Sequence, residues 1–69
     1  MKYSGCRTTA GNPCVFPFQY ENIKYYECEK VNNKGVFWCA VNVTLNGHVD
    51  MWGDCDIDLC HKYIRNTSG

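Results

Sequence analysis

The sequence predicts a small, disulfide-rich, mainly β domain built from two short antiparallel hairpins with long loops. Three observations predict it: six cysteines spread through 69 residues, alternating aromatics between Cys14 and Tyr20, and an Asn46-Gly47 pair between two strand-like stretches. Sixty-nine residues make one domain, and its apolar core alone would be marginal because so short a chain leaves much of its surface in water. Cross-links supply what the core lacks. Cys6, Cys14, Cys28, Cys39, Cys55 and Cys60 form an even set, the mark of a disulfide framework made in an oxidising compartment. A structural zinc site needs closely paired ligands twice over. Only Cys55 and Cys60 are near neighbours, and neither His48 nor His61 completes a second couple, so no metal and no cofactor is expected.

The elements follow in order. Residues 1–5, and the chain onward to Pro13, read as an irregular arm of Ser, Gly, Thr and Asn anchored by Cys6. In Cys14-Val15-Phe16-Pro17-Phe18-Gln19-Tyr20 the three aromatics share one parity. That is strand periodicity, and Pro17 confines it to a sheet edge or a distorted strand. Glu21-Asn22-Ile23 reads as a turn, with Lys24 to Cys28 returning beside the first strand. Asn32 to Gly35 is a second turn cluster, and β-branched and aromatic residues fill Val36 to Leu45. Asn46-Gly47 then predicts a hairpin, because both residues tolerate positive φ, returning through Met51 and Trp52 to Cys55. Ile57 to Ile64 has room for a single helical turn. Past Cys60 the residues become polar, so 61–69 reads as a fraying tail on a module of residues 6–60.

Charge excludes several functions. Seven basic and seven acidic side chains balance, so neither nucleic acid nor an anionic membrane finds an electrostatic footprint. No apolar run approaches the length of a transmembrane span. Met1 to Gly5 lacks the apolar stretch of a signal peptide, so the expectation is a monomeric piece of a longer secreted or cell-surface protein. Asn42-Val43-Thr44 and Asn66-Thr67-Ser68 are N-glycosylation sequons, which suits a glycoprotein. No Ser/His/Asp set has a familiar signature, and oxidised cysteines offer no thiolate, so no enzyme is expected.

Four features stand in a fixed order: Cys14-Val15-Phe16-Pro17-Phe18 with Tyr20, Tyr25 or Tyr26 ahead of Cys28, Trp38-Cys39, and Trp52-Gly53-Asp54-Cys55. From Asn12 to Cys55 this closely resembles the fibronectin type II module of the kringle-like group. The resemblance implies bridges Cys14–Cys39 and Cys28–Cys55, with Cys6 and Cys60, one on each side of the motif, left to pair with each other. The residues alone leave fifteen connectivities open. It also implies a non-catalytic extracellular binding or adhesion module. Members of the family bind gelatin, collagen or phosphocholine head groups, and others accompany secreted proteases and receptors. The partner expected is therefore an extracellular protein or a lipid head group. The alternative is a structural or interaction module inside a larger secreted protein.

By position, the resemblance makes Tyr20, Trp38 and Trp52 the aromatic binding surface; packing in so small a domain reads Phe16 and Phe18 as core, leaves Trp38 open between core and surface, and sets Trp52 partly exposed. Aromatic faces suit both extended Pro-rich chains and quaternary ammonium groups. Two departures reduce aromatic surface near the family's ligand site. Asp54 stands where an aromatic is usual, and Asn42 to Asp50 lacks the family's Asn-Tyr-Asp element. Asp50, Asp54, Asp56 and Asp58 form either a solvated loop or, with Asp54 or Asp56 beside Trp52 as a ligand-binding carboxylate, an anionic cradle for lysine or trimethylammonium; they lack the register of a calcium loop. On a regular strand Asn42 shares parity with Trp38, so a glycan there would shield the same face.

Overall fold

Among residues 2–64, which the computed structural model describes, the order is β1 (Lys2–Arg7), β2 (Pro13–Phe16), β3 (Phe18–Tyr20), β4 (Ile23–Tyr25), β5 (Trp38–Val43), β6 (Val49–Asp54) and a 3₁₀ turn at His61–Tyr63. The strands pair as three two-stranded antiparallel sheets, β1–β2, β3–β4 and β5–β6. The two expected hairpins are therefore joined by a third pair.

That third pair corrects the reading of residues 1–5 as irregular. β1 aligns Tyr3 with Val15 and Arg7 with Pro13, with a bulge between these points. Small polar residues hide the strand in the sequence, because its order comes from a partner and a bridge and not from its own alternation. Past Arg7 the chain turns back through Gly11 N–H donating to the Thr8 carbonyl (2.8 Å), with the Arg7 guanidinium held on the Gly11 carbonyl (2.7 Å).

Pro17 cuts the alternating aromatic run in two. β2 pairs with β1 and β3 with β4, and the Phe16–Pro17 peptide between them is cis. In the β3–β4 hairpin Tyr20 faces Ile23, so Glu21-Asn22 is a two-residue loop. Both have positive φ, 50° and 67°, the requirement of a type I′ turn. Asn46-Gly47 does not repeat it. Only Gly47 has positive φ (85°) there. Its N–H donates to the Thr44 carbonyl at 2.9 Å and Thr44 N–H donates to His48 at 2.8 Å, making a three-residue loop closed by a left-handed glycine.

The core holds Phe16, Phe18, Trp38, Ala40 and all six cysteines. The bridges are Cys6–Cys60, Cys14–Cys39 and Cys28–Cys55. Their sulfurs pack against one another at the centre, Cys6 Sγ lying 3.4 Å from Cys14 Sγ. Phe18 is sealed among Phe16, Tyr25 and Trp38, at ring separations of 6.1, 5.5 and 5.0 Å. Residues 61–64 do not fray as expected. Tyr63 stacks on Phe16 at 5.0 Å, and its carbonyl accepts from Cys28 N–H at 2.9 Å, because the flat phenol ring covers an apolar surface that would otherwise meet water. The rest of the expected tail, with Asn66, lies outside the described residues.

Candidate functional site

Trp38 opens β5 and is clamped from the start. Its backbone exchanges two hydrogen bonds with Glu29, at 2.8 and 3.0 Å, which folds the 29–37 loop over the indole. The indole N–H donates to the Val31 carbonyl at 2.8 Å, so its one polar group is satisfied inside. Phe18 lies against it from β3. Trp38 is consequently only 4% exposed. This settles the open choice for Trp38 on the side of the core and against a place on an exposed surface: the residue is a floor, with only an edge toward solvent.

Tyr20 and Trp52 stand on either side of that floor. The Tyr20 ring meets Trp38 edge-on at 5.4 Å and 84°, and Trp52 does so at 5.8 Å and 67°. Trp52 pairs across β5–β6 with Ala40, whose methyl group leaves the larger ring standing out, 55% exposed. Tyr20 is half-buried, its hydroxyl accepting from the Asn32 amide at 2.9 Å. Between the rings lies an open depression of about 120 Å³, with Val31 and Val49 as aliphatic walls and Asn32 and Asn33 at the rim. Tyr20, Trp38 and Trp52 are thus brought together; the sequence pointed to none of the other four. Asn32 and Asn33 read only as turn formers, and Val31 and Val49 carry no signal at all, since their role depends on how the loop folds over Trp38.

Asp54 departs from expectation. It shares the face of β6 with Trp52, yet its carboxylate accepts from the Asn33 amide at 3.0 Å and is not among the residues lining the depression. The other acidic side chains are dispersed. Asp50 accepts from Asn42 at 3.1 Å, and Asp56 accepts from the Asp58 and Leu59 N–H groups at 3.0 and 3.3 Å. Among the described residues none of the four aspartates lines the depression beside Trp52.

Gly53 follows Trp52 in β6. A Cβ there would meet Thr8 Cγ2 at 3.0 Å, so the space is filled by a buried threonine that packs beneath β6. The shielding expected of Asn42 is also overturned. A bulge in β5 sets Ala40 opposite Trp52 but Asn42 opposite Met51, which points the other way from its neighbour Trp52.

One phenol is perturbed. Burial, then the nearby Glu29 and Glu21 carboxylates, raise Tyr25 above the ordinary phenol range. It packs on Phe18 and supports the β3–β4 hairpin that carries Tyr20.

Against known proteins, the sequence model of the fibronectin type II domain matches residues 14–55. The chain is 40% identical over 45 residues to the Homo sapiens protein named Binder of sperm protein homolog 1, covering 65% of this chain and 31% of that protein. It is 39% identical over 36 residues to Seminal plasma protein HSP-1 of Equus caballus, covering 52% of this chain and 29% of that protein. These matches span under a third of each relative's length.

Proposed function

The chain belongs to the fibronectin type II family, and on that premise we propose that it is a non-catalytic, extracellular binding module for a quaternary ammonium group. The ligand is the trimethylammonium end of a phosphocholine-type head group, taken into the depression between Tyr20, Trp38 and Trp52. One observation carries this reading: two ring systems converge edge-on over a third around about 120 Å³ of open, mostly apolar space.

The chemistry of the lining favours this cation over others. A compact, strongly hydrated ammonium such as that of lysine needs a carboxylate partner when it leaves water. The lining offers aromatic rings, aliphatic walls and amides. A bulky, weakly hydrated cation loses little water and gains about 0.5–2 kcal/mol per ring contact. The space suits one such group more than a long extended polypeptide. Two contacts of that size give weak binding, which repeated modules in a longer protein would convert to useful avidity. Three buried disulfides support the extracellular setting, as does the relative named for seminal plasma. The name of the other relative supports a binding role.

The test is titration of the chain with phosphocholine, tetramethylammonium, a lysine analogue and a Pro-rich collagen-like peptide, followed by tryptophan fluorescence. Saturable responses to the first two are expected, lost in Trp52→Ala while the fold persists by circular dichroism. A response to the peptide alone would move the ligand to a polypeptide. Silence with all four, from a folded chain, would favour a structural or interaction module inside a larger secreted or cell-surface protein.

A further inference from the structure

We infer that Asn42 accepts an N-linked oligosaccharide, carried on the face of the β5–β6 hairpin turned away from the Tyr20–Trp52 depression. Four observations meet at this residue. Asn42-Val43-Thr44 has the acceptor spacing with a non-proline centre. Asn42 and Thr44 are both exposed, at the end of β5 and the start of the following turn. The three disulfides require an oxidising compartment, where such transfer takes place. And the β5 bulge, by pairing Asn42 with Met51, takes it off the Trp52 face.

The transfer chemistry is compatible with the local hydrogen bonding. Asn42 Nδ2 attacks the anomeric carbon of an oligosaccharide linked to a polyprenyl pyrophosphate. A C–N bond forms, the C–O bond to the pyrophosphate breaks, and its electron pair leaves with the pyrophosphate. One amide proton is lost to a base, and nothing is oxidised or reduced. The amide keeps its second hydrogen, so the donation to Asp50 Oδ2, now 3.1 Å, needs no sacrifice. The first sugar would cover the exposed Met51 side chain, an apolar group on the same face, and leave Trp52 open. The inference does not depend on what the depression binds.

The experiment is secretion of the chain from a eukaryotic host, with an added sequon after its C-terminal residue reporting access to the transferase. Peptide mass mapping is expected to find hexosamine-containing glycoforms on the Asn42 peptide, absent in Asn42→Gln and in Thr44→Val. A glycosylated reporter beside a bare Asn42 in folded protein would overturn the assignment. The face is read separately, by acrylamide quenching before and after enzymatic removal of the glycan. Because Trp38 is buried, quenching follows Trp52, and an unchanged slope is expected; strong protection of Trp52 by the glycan would overturn the placement. Neither readout uses a ligand, so both hold whether or not the proposed cation binding does.

Discussion

Trp38 and Trp52 carry the same side chain on neighbouring strands, and what stands over each decides its task. Phe18, Tyr20 and the Val31 carbonyl close over Trp38, whereas only Ala40 lies opposite Trp52 on the paired strand. Trp38→Ala is therefore expected to cost about 3–5 kcal/mol by removing a buried ring. Trp38→Phe keeps most of the packing but strands the Val31 carbonyl, at roughly 1–3 kcal/mol. Urea unfolding of both variants checks the order. Gly53 offers a finer probe, since a Cβ would stand 3.0 Å from Thr8 Cγ2 and 3.3 Å from Thr8 Cβ. Gly53→Ala should destabilise by about 1–3 kcal/mol through overpacking. Thr8→Ser deletes the methyl yet keeps the hydroxyl that accepts from Asn12 N–H at 3.1 Å. In the double variant part of the loss should return, and equal losses with and without Thr8→Ser would exclude the clash as its cause. Tyr25 gives a pH signature. Its folded value is raised, so below the ordinary phenol value of about 10 both states hold the proton and stability is unaffected. Above it the unfolded chain ionises first, and stability falls as pH rises through the folded value. Tyr25→Phe should flatten that alkaline decline in denaturant midpoints measured across pH.

At the scale of elements, the two hairpins exchange the turn chemistry that their residues suggest. Asn46-Gly47 is the stronger type I′ pair by composition, yet the positive-φ two-residue loop forms at Glu21-Asn22. Loop length decides: Tyr20–Ile23 pairing leaves two residues to close, while Thr44 and His48 bond across three. Glu21 at φ 50° is a poor occupant of the left-handed region. Glu21→Asn is expected to stabilise by about 0.5 kcal/mol, and Asn22→Val to destabilise by roughly 1–2 kcal/mol, in thermal unfolding. Strand positions with local signals were legible in this way: the Cys14–Tyr20 aromatics, a distortion at Pro17 and the Trp38 and Met51–Cys55 limbs follow from alternation and turn residues, though not the division of the aromatic run between two sheets. β1 was not, because its order comes from pairing with β2 across a bulge. In the site, Tyr20 and Trp52 came from the resemblance, but the depth of Trp38 and the Asn33 hold on Asp54 depend on a loop whose path leaves no periodic trace. The bulge that turns Asn42 away is likewise a tertiary event.

Across the whole molecule, the bridges differ in what they constrain. Cys14–Cys39 and Cys28–Cys55 span 25 and 27 residues inside the matched region, while Cys6–Cys60 spans 54 and fastens both ends onto it. Its partners are peripheral to the depression: β1 on β2, and Tyr63 on Phe16. Replacing Cys6 and Cys60 by serine should cost on the order of 4 kcal/mol, the loop-entropy scale for so long a closure. Tyr20, Trp38 and Trp52 are held by β3, β5 and β6, none of which carries Cys6 or Cys60. The serine double variant is therefore expected to unfold at lower denaturant while its folded fraction responds to phosphocholine at the same midpoint as the parent chain. Chemical denaturation and fluorescence titration of one sample give both quantities. A weakened titration midpoint in molecules that remain folded would mean that the outer bridge shapes the depression itself, and that the module's ends and its aromatic site form one mechanical unit.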